Sequence, residues 1–211
     1  MTKQIFPLAL GGLAIGTTEF IIMGLLPDVA KDLGVSIPIA GHLISAYAFG
    51  VVVGAPILVA LSSKFPPKNI LIVYMILFTL FNALSIIAPD YNTLLMSRFL
   101  AGLPHGAFFG VGTIVAIKLS KKGKEAQAVS SMFTGLTLAI LLLVPFLTYI
   151  GHNTSYKWAF LIVSLLGIFT ILALIKFMPK LKSLKTVTFK EEIEFFLTFK
   201  ASILKILLCI K

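Results

Sequence analysis

Six apolar runs, each long enough to cross a lipid bilayer and separated by short polar links, constrain this chain more than any other feature. They cover residues 5–27, 42–61, 70–88, 93–119, 127–150 and 158–178. A spanning helix needs about 20 mostly apolar residues. Inside lipid every backbone N–H and C=O must be satisfied within the protein, which leaves only helices and closed barrels. A barrel would show short segments of alternating polarity. These runs are continuous, so they predict helices. The expected fold is all-α and transmembrane, with residues 1–178 forming a six-span bundle. None of the links is long enough to be a separate domain.

Only 12% of the residues are charged, against about 25% in a soluble domain, which excludes an ordinary soluble protein. The net charge of +10 would suit a nucleic-acid partner in a soluble chain. Here the lysines cluster between apolar runs, without a recognition motif or a stacking platform, so no nucleic-acid partner is expected. They report topology instead, because positive residues near span ends stay cytoplasmic. With the N-terminus inside, the cytoplasmic segments hold Lys3, Lys64, Lys68, Lys118, Lys121, Lys122, Lys124, Lys176, Lys180, Lys182 and Lys185, and the outer links hold only Lys31 and Lys157. The expectation is therefore a multi-pass protein of the inner membrane with a cytoplasmic N-terminus. The first run exceeds the roughly 7–15 apolar residues of a signal peptide and is expected to be retained as a span. One cysteine, Cys209, permits neither an internal disulfide nor a cysteine metal cluster. No nucleophile, metal or nucleotide motif is present, so no metal, cofactor or enzymatic activity is expected.

Beyond residue 178 the character changes. Residues 179–200 are expected to form a cytoplasmic basic and amphipathic loop, in which the alternating charges of 191–197 suit a helix on the membrane surface. Residues 201–211 are apolar again but supply only about half of a span. They are expected to begin a seventh span that is truncated.

Buried polarity concentrates in residues 98–112, RFLAGLPHGAFFGVG. An arginine at mid-membrane costs about 2.5–3.5 kcal/mol on insertion scales, and such groups are functional candidates by default. At 1.5 Å per residue, Arg98 lies roughly 9 Å from the outer start of its run and Glu19 about 12 Å from the outer end of the first. The matching depths make them a candidate pair, either a structural ion pair that fixes helix packing or one that couples protons and substrate. His105 shares the helix face of Arg98 and has an ordinary pKa suited to switching, though a lone histidine is more often a satisfied hydrogen-bonding residue. Glycines recur at four-residue spacing as Gly12 and Gly16, Gly50 and Gly54, and Gly102, Gly106 and Gly110. That pattern lets helix backbones approach closely. Pro56, Pro104 and Pro145 fall inside runs and are expected to kink them. Ser45, Tyr47 and Asn82 are expected to be interhelical contacts worth about 1 kcal/mol or less.

Three segments in register, TTEFIIMGLLPDVAKDLGVS from Thr17, AGHLISAYAFGVVVGAP from Ala40 and SRFLAGLPHGAFFGVG from Ser97, resemble the major facilitator superfamily, and within it the arabinose-efflux permease group of drug and sugar:proton antiporters. Gly54 with Lys64 and Lys68 stands where the family's loop after the second span carries a glycine and basic residues that gate the cytoplasmic side. The acid many relatives place at Leu58 is absent. Arg98 and Gly102 match a fourth-span motif associated with proton coupling. Gly135 and Pro145 match the fifth-span antiporter motif, but Ile140, Leu143 and Leu147 replace its asparagine and two glycines on a face that, in the family, meets the second half.

The resemblance implies two six-helix halves, each built from two inverted three-helix repeats around a central site, and this chain resembles the first half. It implies proton-coupled efflux of sugars or drug-like molecules by alternating access. The implied partners are a small-molecule substrate, protons, the bilayer and a complementary C-terminal half, and Glu19, Arg98 and His105 are the coupling candidates. The alternative is a non-transporting fragment, or a half that assembles with a separately encoded partner. Little or no transport is expected from the 211-residue chain alone.

Overall fold

The computed structural model describes residues 3–62 and 65–181. Its elements are α1 (Phe6–Gly24), α2 (Leu26–Asp32), α3 (Ile37–Ser62), α4 (Pro67–Ile86), α5 (Tyr91–Leu119), α6 (Glu125–Leu138), a π-helical turn (Ala139–Leu143), α7 (Val144–Asn153) and α8 (Tyr156–Phe177). Among the described residues there is no strand, and six helical stretches are long and apolar enough to cross a membrane: α1, α3, α4, α5, the 29-residue stretch Glu125–Asn153, and α8. The expected surface helix at 191–197 and the expected start of a seventh span lie outside the described residues, as does Lys64.

All the spanning helices but α1 begin earlier than their apolar runs, because caps as well as hydropathy set their ends. Helix α5 starts at Tyr91 behind Asp90, whose carboxylate accepts the Thr93 backbone N–H at 2.9 Å and the Thr93 hydroxyl at 3.0 Å. That is an N-cap, and the same bonds hold the Asp90 carboxyl below the usual carboxylate range. Proline occupies the first turn of α1, α2, α4 and α7, where its missing N–H costs nothing. The link expected between the first two runs thus contains a helix of its own, α2. Pro145 is the second residue after the π-helical turn. Its ring would clash with the carbonyl four residues back, at Leu141, and the widened turn at that point accommodates it.

Numbered as spans one to six, the helices show a twofold contact pattern. Span one packs on span five as span four packs on span two, and span one packs on span six as span four packs on span three. Spans three and six pack on each other. Exchanging the first three spans with the last three leaves this set unchanged. An odd number of spans per repeat makes the second repeat cross the bilayer in the opposite sense, so the two are inverted.

The core divides into two apolar clusters along the span direction. One gathers Leu8, Ile15, Met75, Phe78, Phe108 and Met132. The other gathers Ile21, Leu25, Leu43, Leu94, Leu147 and Phe160. Between them lies a buried polar layer that includes Thr17, Thr18, Asn82, Ser85, Ser97 and Arg98.

Candidate functional site at the buried polar layer

Arg98 is wholly buried, the largest fully enclosed side chain among the described residues. Its Nη1 donates to the Thr18 hydroxyl at 3.0 Å and its Nη2 to the Thr18 carbonyl at 3.0 Å. The Thr18 hydroxyl in turn donates a hydrogen bond to the Asn82 side-chain oxygen, and Asn82 Nδ2 donates to the Phe78 carbonyl at 2.8 Å. One directed chain of donors therefore ties span four to span one and span one to span three. The guanidinium carbon sits 4.4 Å from the centre of the Tyr47 ring and 5.7 Å from that of Phe160, within cation–π range. Among the described residues Arg98 Nε has no hydrogen-bond partner.

No ion pair within 4.0 Å joins Glu19 to Arg98: among the described residues the one such pair is His152 with Asp28. Glu19 is partly exposed and lies within electrostatic reach of the arginine. The depth match was sufficient to find the right turn of span one but not the right residue. Each step along a helix turns the side chain by about 100°, so Thr18 faces Arg98 and Glu19 points aside. His105 is held by Tyr47, whose hydroxyl lies 3.0 Å from Nδ1. The His105 ring also neighbours Phe109 at 5.3 Å, and Phe109 stacks on Phe133 of span five at 5.0 Å. The polar layer thus continues from Arg98 through Tyr47 to His105 and ends in an aromatic pair. Thr18 was missed from the sequence. Tyr47 and Asn82 were given only a packing role there, though each is an uncommon polar group in an apolar run.

The glycines sit mainly at backbone contacts. A Cβ on Gly50 or Gly54 would collide with the backbone of Phe99 or Leu103, one on Gly102 with the carbonyl of Tyr47, and one on Gly135 with that of Ala9. Gly106 approaches the Ala55 methyl. Gly110 stands apart: an added Cβ would meet only Val59 Cγ2, at an ordinary 3.6 Å. Leu147 also differs from the expected outward-facing position, since it is fully buried in the second apolar cluster, while Ile140 remains 44% exposed. Lys68 caps the end of α8, donating to the Ile175 and Met178 carbonyls at 2.8 and 2.6 Å. The carbonyl of Leu58 accepts the Tyr74 hydroxyl at 2.6 Å. Among the described residues no group of His, Cys, Asp and Glu side chains is placed to hold a metal ion.

The sequence pattern of the Major Facilitator Superfamily matches residues 8–209. The chain belongs to this superfamily. It is 50% identical over 173 residues to the inner membrane transport protein YdhP of Escherichia coli K12, covering 82% of this chain and 44% of YdhP. It is 40% identical over 195 residues to the putative transporter AraJ of the same organism, covering 92% of this chain and 50% of AraJ. The chain therefore spans about half the length of these relatives. A crystal structure of the peptide transporter POT in complex with sulfate superposes with a TM-score of 0.75 at 17% identity, covering 100% of this chain and 46% of POT. At that identity the likeness is one of fold, and the superfamily is one of membrane transporters rather than enzymes.

Proposed function

We propose that this chain forms the N-terminal half of an alternating-access transporter that exports sugars or drug-like molecules across the inner membrane in exchange for protons. Its N-terminus is cytoplasmic, residues 179–200 form the cytoplasmic loop to the second half, and that half is its partner. The observation that carries this reading is the pairing of a fixed and a variable charge. Arg98 is locked by Thr18 and two aromatic faces, while Glu19, one residue beyond Thr18, is partly exposed and forms no ion pair among the described residues. With Glu19 ionised, the polar layer is close to neutral. When Glu19 is protonated, the layer carries the uncompensated charge of Arg98, and an unbalanced buried charge costs several kcal/mol. Protonation thereby biases the choice between conformations, which is what coupling requires. Tyr47 and His105 extend the same layer and offer a second proton site. The names of YdhP as an inner membrane transport protein and of AraJ as a putative transporter support transport across that membrane, and the lysine asymmetry supports the cytoplasmic N-terminus.

The test is proton-driven flux in inverted membrane vesicles, using a labelled pentose and a fluorescent drug-like amine as probes. The chain is produced alone or together with the C-terminal half of AraJ. The chain alone is expected to give little or no flux, and co-production is expected to give flux that depends on the proton gradient. Glu19→Gln should remove the pH dependence of that flux while leaving membrane insertion unchanged. Unaltered pH dependence would overturn the role of Glu19. Absence of flux with the complementary half would favour a non-transporting fragment.

A further inference from the structure

A cavity of about 280 Å³ lies at the opposite end of the bundle from the Asp28–His152 pair, bounded by Lys121, Lys124, Ser120, Gln127 and Ser131, with Ile5 as an apolar wall. It is smaller than the roughly 300–1,000 Å³ of sites for drug-sized ligands, so it suits a compact group. A tight turn builds it. The Lys124 N–H donates to the Lys121 carbonyl at 2.9 Å, and Gly123 takes a φ of +82°, the left-handed conformation that such a turn needs at its third residue. The first and fourth Cα atoms of a β-turn lie within about 7 Å, so both lysines border the cavity, whereas Lys122 at the corner does not line it. From Lys124 onward, Gln127 and Ser131 follow at helical spacing on the same face of α6.

Lys121 and Lys124 both line the cavity, and no carboxylate lines it. Glu125, the adjacent acid, accepts the Gly123 N–H at 3.1 Å, and among the described residues neither lysine forms an ion pair. Two positive side chains bordering one cavity attract an anion into it. The Ser120 and Ser131 hydroxyls already donate to the Ile117 and Gln127 carbonyls at 2.7 and 2.8 Å. The free donors are therefore the two ammonium groups and the Gln127 amide. The cavity lies just past Leu119, the last residue of α5, and before Glu125, the first of α6, at the level where a span meets the headgroup region. Basic pockets between spans on the cytoplasmic side are suited to phosphate-bearing headgroups.

We propose that this cavity binds a phosphate group, either the headgroup of an anionic phospholipid or a soluble phosphate. The cytoplasmic setting of the site rests on the orientation proposed above, but the site shares no residue with the polar layer and does not depend on transport. The experiment uses the purified 211-residue chain in neutral detergent. One arm adds inorganic phosphate and follows the unfolding midpoint. The other moves the chain into phosphatidylcholine nanodiscs, with or without phosphatidylglycerol, and measures the phosphatidylglycerol retained per chain. K121Q/K124Q should weaken binding about tenfold. K118Q/K122Q, which removes the same charge from the same segment, should leave binding within about twofold, and K121R/K124R should retain it. Retention of phosphatidylglycerol without a response to phosphate assigns the site to a lipid, and the reverse assigns it to a soluble phosphate. Binding of neither probe, or equal losses in both glutamine pairs, would overturn the proposal.

Discussion

The seam between α3 and α5 and the seam between α1 and α6 hold equivalent places in the twofold arrangement, yet they close differently. The first is backbone against backbone, with Gly50, Gly54 and Gly102 pressed on Phe99, Leu103 and Tyr47. The second begins the same way, with Gly12 near the Met132 carbonyl and Gly135 against Ala9, but beyond Gly16 it passes into the π-helical turn and Pro145. There the space is filled by the buried Leu147 side chain. One seam is therefore closed by missing side chains, and the other by missing side chains at one end and aliphatic packing at the other. The glycine seam fixes its register because no side chain can yield. The other contains a turn with an extra residue in its hydrogen-bond ring, the kind of local adjustment found at sites of movement.

The sharpest way to break this comparison is Gly54→Leu. The backbone of Leu103 cannot give way, so the cost should reach or exceed the upper end of the usual 1–3 kcal/mol or so for overpacking. It is read as the unfolding midpoint of the purified chain in detergent, and an unchanged midpoint would refute a rigid seam. Next is Leu147→Ala, expected to cost about 2 kcal/mol, at the low end of core truncations, since lipid rather than water is the alternative environment. A neutral result would mean that the second seam is not closed by this side chain.

Thr18→Val tests the polar layer that both seams enclose. It leaves Arg98 Nη1 and the Asn82 oxygen without their partner and should cost about 1 kcal/mol, while Glu19→Gln leaves the midpoint nearly unchanged. The reverse order would restore Glu19 as the structural partner. Asp90→Ala should lower the midpoint less, with a pH signature. The folded carboxyl is held below its ordinary value, so its stabilisation is present above the unfolded pKa near 3.9 and is lost as pH falls through the lower folded value. The difference between wild type and variant should therefore close in strong acid. Smallest of all is Gly110→Ala, expected within about 0.5 kcal/mol of neutral, because that position has room. A large loss there would extend the close-packed seam by a full turn.

Much of this architecture was legible in the residues. The runs gave the spans, since lipid allows few alternatives, and the four-residue glycine spacing marked the faces that meet at Gly50, Gly54 and Gly102. The helix ends were less visible, because Asp90 and the first-turn prolines extend helices past the apolar residues. The site was half legible. Arg98 was marked by being a charge in lipid, and Tyr47 and Asn82 were noticed as polar residues, but their partners were not assigned; Ser45, noticed with them, is exposed.

By itself, then, the sequence determined that this chain crosses a membrane, at which depth its charges lie and which helix faces can approach. Those follow from composition and from spacing along one axis, which lipid and helix geometry convert directly into structure. Only the packed bundle decided that Thr18 rather than Glu19 holds Arg98, that Tyr47 links it to His105, and that Leu147 points inward. Such choices depend on the rotation of each helix about its own axis, where one residue changes the facing by about 100°. That rotation is set by all the contacts of the bundle at once.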